Sequence, residues 1–111
     1  MTKERKGYIK GDIVKDNETY TLIDNTDLNN MVVSSTILKP GKHTNGHKHD
    51  DIEEVYIFQH GFGKIEVGDN IYDVKANDVI TIPSGDFHKV YNGSDEEEFC
   101  FIAVFNGKRN H

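Results

Sequence analysis

The stretch GKHTNGHKHDDIEEVYIFQHG, residues 41–61, contains four of the six histidines of the chain. Within it the run EVYIFQ, residues 54–59, is mostly apolar, and two adjacent carboxylates, Glu53 and Glu54, stand at its start. A carboxylate at the start of a buried strand is costly unless it is paired with a cation or binds a metal ion. The stretch therefore predicts a polar site beside a hydrophobic strand.

The spacing of the histidines suits metal binding. His47 and His49 are two residues apart, so on a strand they share one face, with Cα atoms about 6.5 Å apart. His88 follows the turn PSGDF further along the chain. Three imidazoles and one carboxylate suit a divalent transition metal such as manganese, iron, nickel, cobalt, copper or zinc. The alternative is that such pairs are only solvated, as we expect for His43, His60 and His111.

Short β-rich runs, separated by clusters of Gly, Asn and Asp, continue this pattern along the chain, without sustained helical periodicity. The predicted strands are residues 7–14, 18–24, 31–38, 54–59, 63–67, 71–74, 78–82, 88–92 and 98–105. This spacing of turns favours an all-β sandwich or barrel. A chain of 111 residues has room for one core, so residues 1–111 are predicted to form a single domain.

Charge and composition exclude several classes of function. The formal net charge of −6 argues against nucleic acid as a partner, because nucleic-acid binding requires a basic face. The one cysteine, Cys100, allows no intrachain disulfide. No basic-then-apolar leader opens the sequence and no apolar run approaches 18 residues. We therefore expect a cytoplasmic protein without a membrane partner.

Two motifs in residues 41–92 resemble those of the cupin superfamily. The first cupin motif, G-x5-HxH-x4-E-x6-G, is matched at Gly41, His47, His49, Glu54 and Gly61. The second, G-x5-P-x-G-x2-H-x3-N, is matched at Pro83, Gly85, His88 and Asn92, with Asn77 in place of its first glycine. This departure is mild, because asparagine tolerates the left-handed backbone region better than most residues.

The resemblance implies a single antiparallel jelly-roll β-barrel of six to eight strands. It also implies an interior metal ion held by His47, His49, Glu54 and His88. Four protein ligands would leave one or two positions open for substrate or water, which is typical of a catalytic site. The identity of the metal stays open at this stage.

Strand parity predicts which side chains line the interior. If Glu54 points inward, Tyr56 and Phe58 do so too, while Glu53 faces out. Further inward positions are expected at Ile65, Val67 and Val90, and on the last strand at either Phe99, Phe101, Ala103 and Phe105 or Cys100, Ile102 and Val104. The predicted pocket is thus largely apolar, without an inward Lys or Arg. Tyr56 is a candidate acid or hydrogen-bond donor, or alternatively a core tyrosine.

Three functions are compatible with these features. The short single barrel resembles small cupins grouped with sugar-phosphate isomerases, which implies a metalloenzyme acting on a small polar metabolite, with Glu54 and Tyr56 as catalytic candidates. An iron- or copper-dependent dioxygenase is the first alternative. A non-catalytic, metal-dependent module that binds a small molecule is the second. The last predicted strand is apolar on both faces, and barrels of this type commonly pair, so a homodimer is expected.

Overall fold

Nine antiparallel strands form the fold within residues 6–107, the part of the chain that the computed structural model describes. They are β1 (Asp12–Asp16), β2 (Tyr20–Asn25), β3 (Met31–Leu38), β4 (Glu54–His60), β5 (Phe62–Val67), β6 (Asn70–Lys75), β7 (Val79–Ile82), β8 (His88–Asn92) and β9 (Phe99–Asn106). All nine predicted runs are present, although β1 starts five residues later than predicted. The count exceeds the six to eight strands that the resemblance implied. The prediction for His111 falls outside the described residues.

The strands are arranged in two sheets that close into a single jelly-roll barrel. One sheet has six strands in the order β1-β2-β3-β9-β4-β7, and the other has three in the order β6-β5-β8. Residues 41–49, here called the histidine segment, run antiparallel to β8 through bridges that pair His43 with Tyr91 and His47 with His88. Within residues 6–107 no helix is long and apolar enough to cross a membrane.

The core lies between the two sheets and follows the predicted alternation. On β4, Glu54, Tyr56 and Phe58 are buried, whereas Val55 is half-buried and Ile57 and Gln59 are exposed. On β9 the first of the two predicted sets faces the core, namely Phe99, Phe101, Ala103 and Phe105. Ring stacking joins the strands: the Phe58 and Phe99 centroids are 5.1 Å apart. Each buried aromatic ring contributes roughly 1.5–3 kcal/mol through the surface that it removes from water.

The opposite face of the six-stranded sheet is partly covered by the residues that precede β1. Ile23, Ile37 and Cys100 form a second buried cluster there, and Tyr8 and Ile9 pack against it. The Ser35 hydroxyl donates a hydrogen bond to the carbonyl of Gly7 in the same segment. Residues 7–9 therefore cover the sheet instead of adding a strand to it, which is why β1 begins later than predicted.

Two motif positions are set by backbone conformation. Gly61 joins β4 to β5 with φ of 89°, and a Cβ atom there would lie 2.7 Å from the Glu98 carbonyl oxygen. Asn77, which replaces the first glycine of the second motif, has φ of 79°. The left-handed region is thus used at both places, and the prediction that asparagine would adopt it is confirmed.

Candidate metal centre

Backbone pairing holds the histidine segment in place beside β8. The His47 amide donates to the His88 carbonyl at 3.1 Å, and the His88 amide donates back to the His47 carbonyl at 2.9 Å. The Gly85 amide donates to the His49 carbonyl at 2.9 Å, which connects the turn before β8 to the same segment. These bonds fix the main chain of all three histidines relative to one another.

Glu54 enters the site from the opposite sheet. It is the first residue of β4 and only 7% of its surface is exposed, whereas the adjacent Glu53 is exposed. Since neighbours on a strand point to opposite faces, the choice of Glu54 as the inward carboxylate is confirmed. A buried carboxylate requires a cation or hydrogen-bond donors around it.

The third imidazole, that of His88, is 2% exposed and faces Glu54 directly. Its Nδ1 atom lies 3.1 Å from the Asp86 carbonyl oxygen. A carbonyl can only accept, so Nδ1 carries the hydrogen and the tautomer is set by this contact. The other nitrogen, Nε2, is thereby left to face the interior, 3.0 Å from Glu54 Oε2.

Those two facing atoms have no hydrogen-bond partner of acceptable geometry, although both are fully buried. With Nδ1 protonated, a neutral imidazole would direct the lone pair of Nε2 at a carboxylate oxygen. Such a contact is repulsive unless a positive charge lies between or on the two groups. A proton on Nε2 or a metal ion shared by both atoms would supply that charge.

The histidines complete a cluster of donor atoms around the carboxylate. One donor atom each from His47, His49 and Glu54 lies within 4.8 Å of the others. His88 is outside that mutually close set but touches Glu54, and its ring centroid is 4.4 Å from that of His47. Imidazole nitrogen and carboxylate oxygen are donors that divalent transition metals bind. The residues present therefore fit a metal ion.

Electrostatics keep the carboxylate ionised. Burial desolvates Glu54 and by itself would raise its pKa. The contact with His88 and the positive character of the three imidazoles act in the opposite direction and outweigh burial, so the pKa of Glu54 is lowered from its ordinary value. The site thus favours an anionic ligand atom at the centre of the cluster.

A cavity of about 460 Å³ opens beside the cluster. Its walls come from β1 to β4, from β9 and from the segment between β3 and β4, and they are formed by Lys15, Tyr20, Leu22, Ser34, Thr36, Thr44, Asn45, Gly46, His47, His49, Ile52, Glu54, Tyr56, Phe101, Ala103 and Phe105. The pocket is more polar than predicted, and an exposed lysine that the prediction did not include borders it. Lys15 and several hydroxyl groups line it, because β1, β2 and β3 form a wall that the motifs do not describe.

The remaining candidates divide between the cavity and the surface. Tyr56 lines the cavity, with its ring 5.6 Å from that of His88 and stacked 5.0 Å from Phe101. This position suits either of the two roles predicted for Tyr56. His43 is exposed and packs on Tyr91, and its Nδ1 contacts the Thr44 carbonyl. His60 lies at the end of β4 and does not line the cavity.

Comparison with known families identifies the class of protein. Residues 34–105 match the Cupin domain family. This match spans more than half of the chain, and the fold agrees with it, so the protein belongs to the cupin family. The sequence matches none of the curated proteins with which it was compared.

Solved structures show the same fold at low sequence identity. The chain is similar to the protein TT1209 from Thermus thermophilus at 21% identity and a TM-score of 0.76, covering 85% of this chain and 89% of that one. It is similar to a predicted oxalate decarboxylase from Thermotoga maritima at 23% identity and a TM-score of 0.71, covering 78% and 79%. KdgF from Halomonas sp. is similar at 13% identity and a TM-score of 0.76, covering 88% and 89%.

Proposed function

We propose that this cupin binds one divalent transition-metal ion through His47, His49, Glu54 and His88 and acts on a small polar metabolite. The observation that carries the proposal is the buried pair of Glu54 Oε2 and His88 Nε2, 3.0 Å apart and without hydrogen-bond partners. A metal ion held by both groups would remove the repulsion between the two lone pairs. His47 and His49 would supply further donors from the cavity side.

The reaction that we favour is isomerisation or epimerisation of a small sugar or sugar phosphate. When bound, a divalent ion would polarise a carbonyl oxygen and so make the neighbouring carbon more acidic. Glu54 and Tyr56 both border the cavity next to the cluster, where they could hold or move the proton that leaves that carbon. The volume of about 460 Å³ lies in the lower half of the range typical of small-molecule sites.

A second candidate reaction uses dioxygen. Phe101, Ala103 and Phe105 give one wall of the cavity an apolar surface beside the same donor set. Such a wall excludes water from a reactive oxygen species, which an iron- or copper-dependent dioxygenase requires. The name of the Thermotoga maritima neighbour refers to a third reaction, decarboxylation of oxalate, so a small carboxylate belongs among the candidate substrates.

The decisive experiment combines metal analysis with two assays of chemistry. Protein purified without chelator and reloaded with manganese, nickel, iron, copper or zinc should bind one ion per chain. Incubation with sugars and sugar phosphates in deuterated water should then exchange the hydrogen next to the carbonyl, observed by proton NMR. Oxygen uptake measured with the iron and copper forms would instead identify a dioxygenase. Stoichiometric metal and tight ligand binding without either reaction would assign a non-catalytic binding module, and absence of stoichiometric metal would refute the proposal.

A further inference from the structure

Lys15 reaches the cavity face of the barrel because of an irregularity in β1. Ile13 pairs with Ile23, which belongs to the outer cluster, whereas Lys15 pairs with Leu22, which lines the cavity. On a regular strand, residues 13 and 15 would share one face. The register shift places Val14 as an extra residue between them, so Lys15, an exposed residue at the rim of the cavity, shares the sheet face of Leu22. Bulges of this kind redirect side chains and are common beside functional sites.

The surroundings of Lys15 are those of a binding surface. Across the sheet, Leu22 pairs with Thr36 and Thr36 pairs with Phe101, and all of these residues line the cavity. Among the described residues that line the cavity, Lys15 is the one lysine or arginine. Hydroxyl groups of Ser34 and Thr36 line the same cavity from β3, two strands from Lys15.

The ammonium group of Lys15 has no carboxylate partner within residues 6–107. Four other lysines do have one within the described residues, namely Lys10, Lys39, Lys64 and Lys75. Lys42, Lys48 and Lys89 have none in that part of the chain either, but they do not line the cavity. A cation that lines a cavity without a protein counter-ion attracts an anionic ligand, because the cavity walls restrict its access to solvent on one side.

We propose that Lys15 binds an anionic oxygen group, a carboxylate or a phosphate, of the ligand whose other end lies at the metal cluster. The proposal rests on the function proposed above, since it assigns the substrate to the acidic derivatives of small polyols and sugars. Thr36 lies in the same row two strands away, beyond Leu22, and could donate a hydrogen bond to another oxygen of the same ligand. Lys15 is then a residue that determines specificity, not one that contacts the reacting atoms.

The test is calorimetric titration of the manganese-loaded full chain with three matched five-carbon ligands: neutral ribose, the carboxylate ribonate, and ribose phosphate. Wild-type protein should bind one or both anions and should bind ribose at least tenfold more weakly. Lys15→Met should weaken binding of the anion about tenfold to a hundredfold, the usual loss for a charged hydrogen bond. Lys15→Arg should retain most of the affinity. The stronger of the two anions identifies the group as carboxylate or phosphate.

Lys75→Met is the matched control, because it removes the same charge from an exposed position on β6 in the other sheet. It should bind the anions as wild type does. Anion binding by wild type should weaken as salt is added, whereas the remaining binding by Lys15→Met should not. The proposal is overturned if Lys15→Met binds the anions within twofold of wild type, if Lys75→Met loses as much, or if neither anion binds. Metal content is measured separately in each variant, so loss of the metal site would count against the proposed function without affecting the result for Lys15.

Discussion

Replacing Glu54 by Gln removes the carboxylate from the centre of the donor cluster while keeping the size of the side chain. Glu54 is 7% exposed, and its Oε2 atom faces His88 Nε2 at 3.0 Å. Changes in residues that only support a metal ligand lower affinity about 10- to 100-fold, so removal of a direct anionic ligand should cost at least about 100-fold. Glu53→Gln is the matched control, because Glu53 is exposed and points away from the cluster.

The loss of metal affinity in Glu54→Gln can be measured through the thermal stability of the protein. A metal ion present at about 100 times its dissociation constant stabilises the folded wild type by about 2.7 kcal/mol, which raises Tm by about 10 °C in a domain of this size. At the same metal concentration, a 100-fold weaker Glu54→Gln site would gain only about 0.4 kcal/mol, or about 2 °C. Because each variant is compared with and without metal, any change in the stability of the metal-free protein cancels.

Differential scanning fluorimetry with and without manganese, supported by elemental analysis, measures this difference. Glu53→Gln should show the full wild-type shift, since a surface change of this type alters stability by about 0.5 kcal/mol or less. A full shift in Glu54→Gln together with a lost shift in Glu53→Gln would refute the assignment of the inward carboxylate. Full wild-type shifts in both variants would refute the role of either carboxylate as a metal ligand.

Three further expectations concern the site and the surface. His49→Ala should bind less than one ion per chain by elemental analysis, yet chelation should leave the far-UV circular dichroism of wild type unchanged, because the aromatic core does not depend on the metal; unfolding on chelation would contradict this. Light scattering should show a homodimer, and a wild-type mass of 12.6 kDa would contradict this expectation. Ile57→Asp or Val79→Asp should yield monomers, since these paired residues are 37% and 57% exposed on the outer face of the sheet. Cys100 is fully buried, and mainly for that reason its pKa is raised to about 11, so a thiol reagent at pH 8 should modify it only after unfolding; rapid modification of the native protein would be inconsistent with that burial.

The sequence predicted the centre of the site because its constraints are local. The distance from Gly61 back to Glu54 fixes which carboxylate opens β4, and alternation then places Tyr56 and Phe58 inside. The turn before His88 requires a positive φ, which Gly85 supplies, and the turn between β6 and β7 requires one that Asn77 supplies. Such constraints depend on neighbours within a few residues, so motif spacing and strand parity together were sufficient.

The far wall of the cavity could not be predicted in the same way. The run from residue 7 to residue 14 reads as one strand, but residues 7–9 are held over Ile37 and Cys100 by contacts that are distant in sequence. The extra residue at Val14 carries no local signal, since valine also fits a regular strand. A single inserted residue reverses the facing of every later side chain on a strand, so parity alone assigns Lys15 to the wrong face.

The pattern of polar residues in β3 predicts which side chains share a face, but not which face points into the barrel. Ser34 and Thr36 alternate with Val33, Ser35 and Ile37, which by parity alone assigns them to one face without saying which face is inside. The structure turns them toward the cavity, between Val32 and Leu38 of the core. Ser34 and Thr36 line the same cavity as Lys15 and the proposed metal ligands, so the anion site and the metal site that we propose would share one pocket.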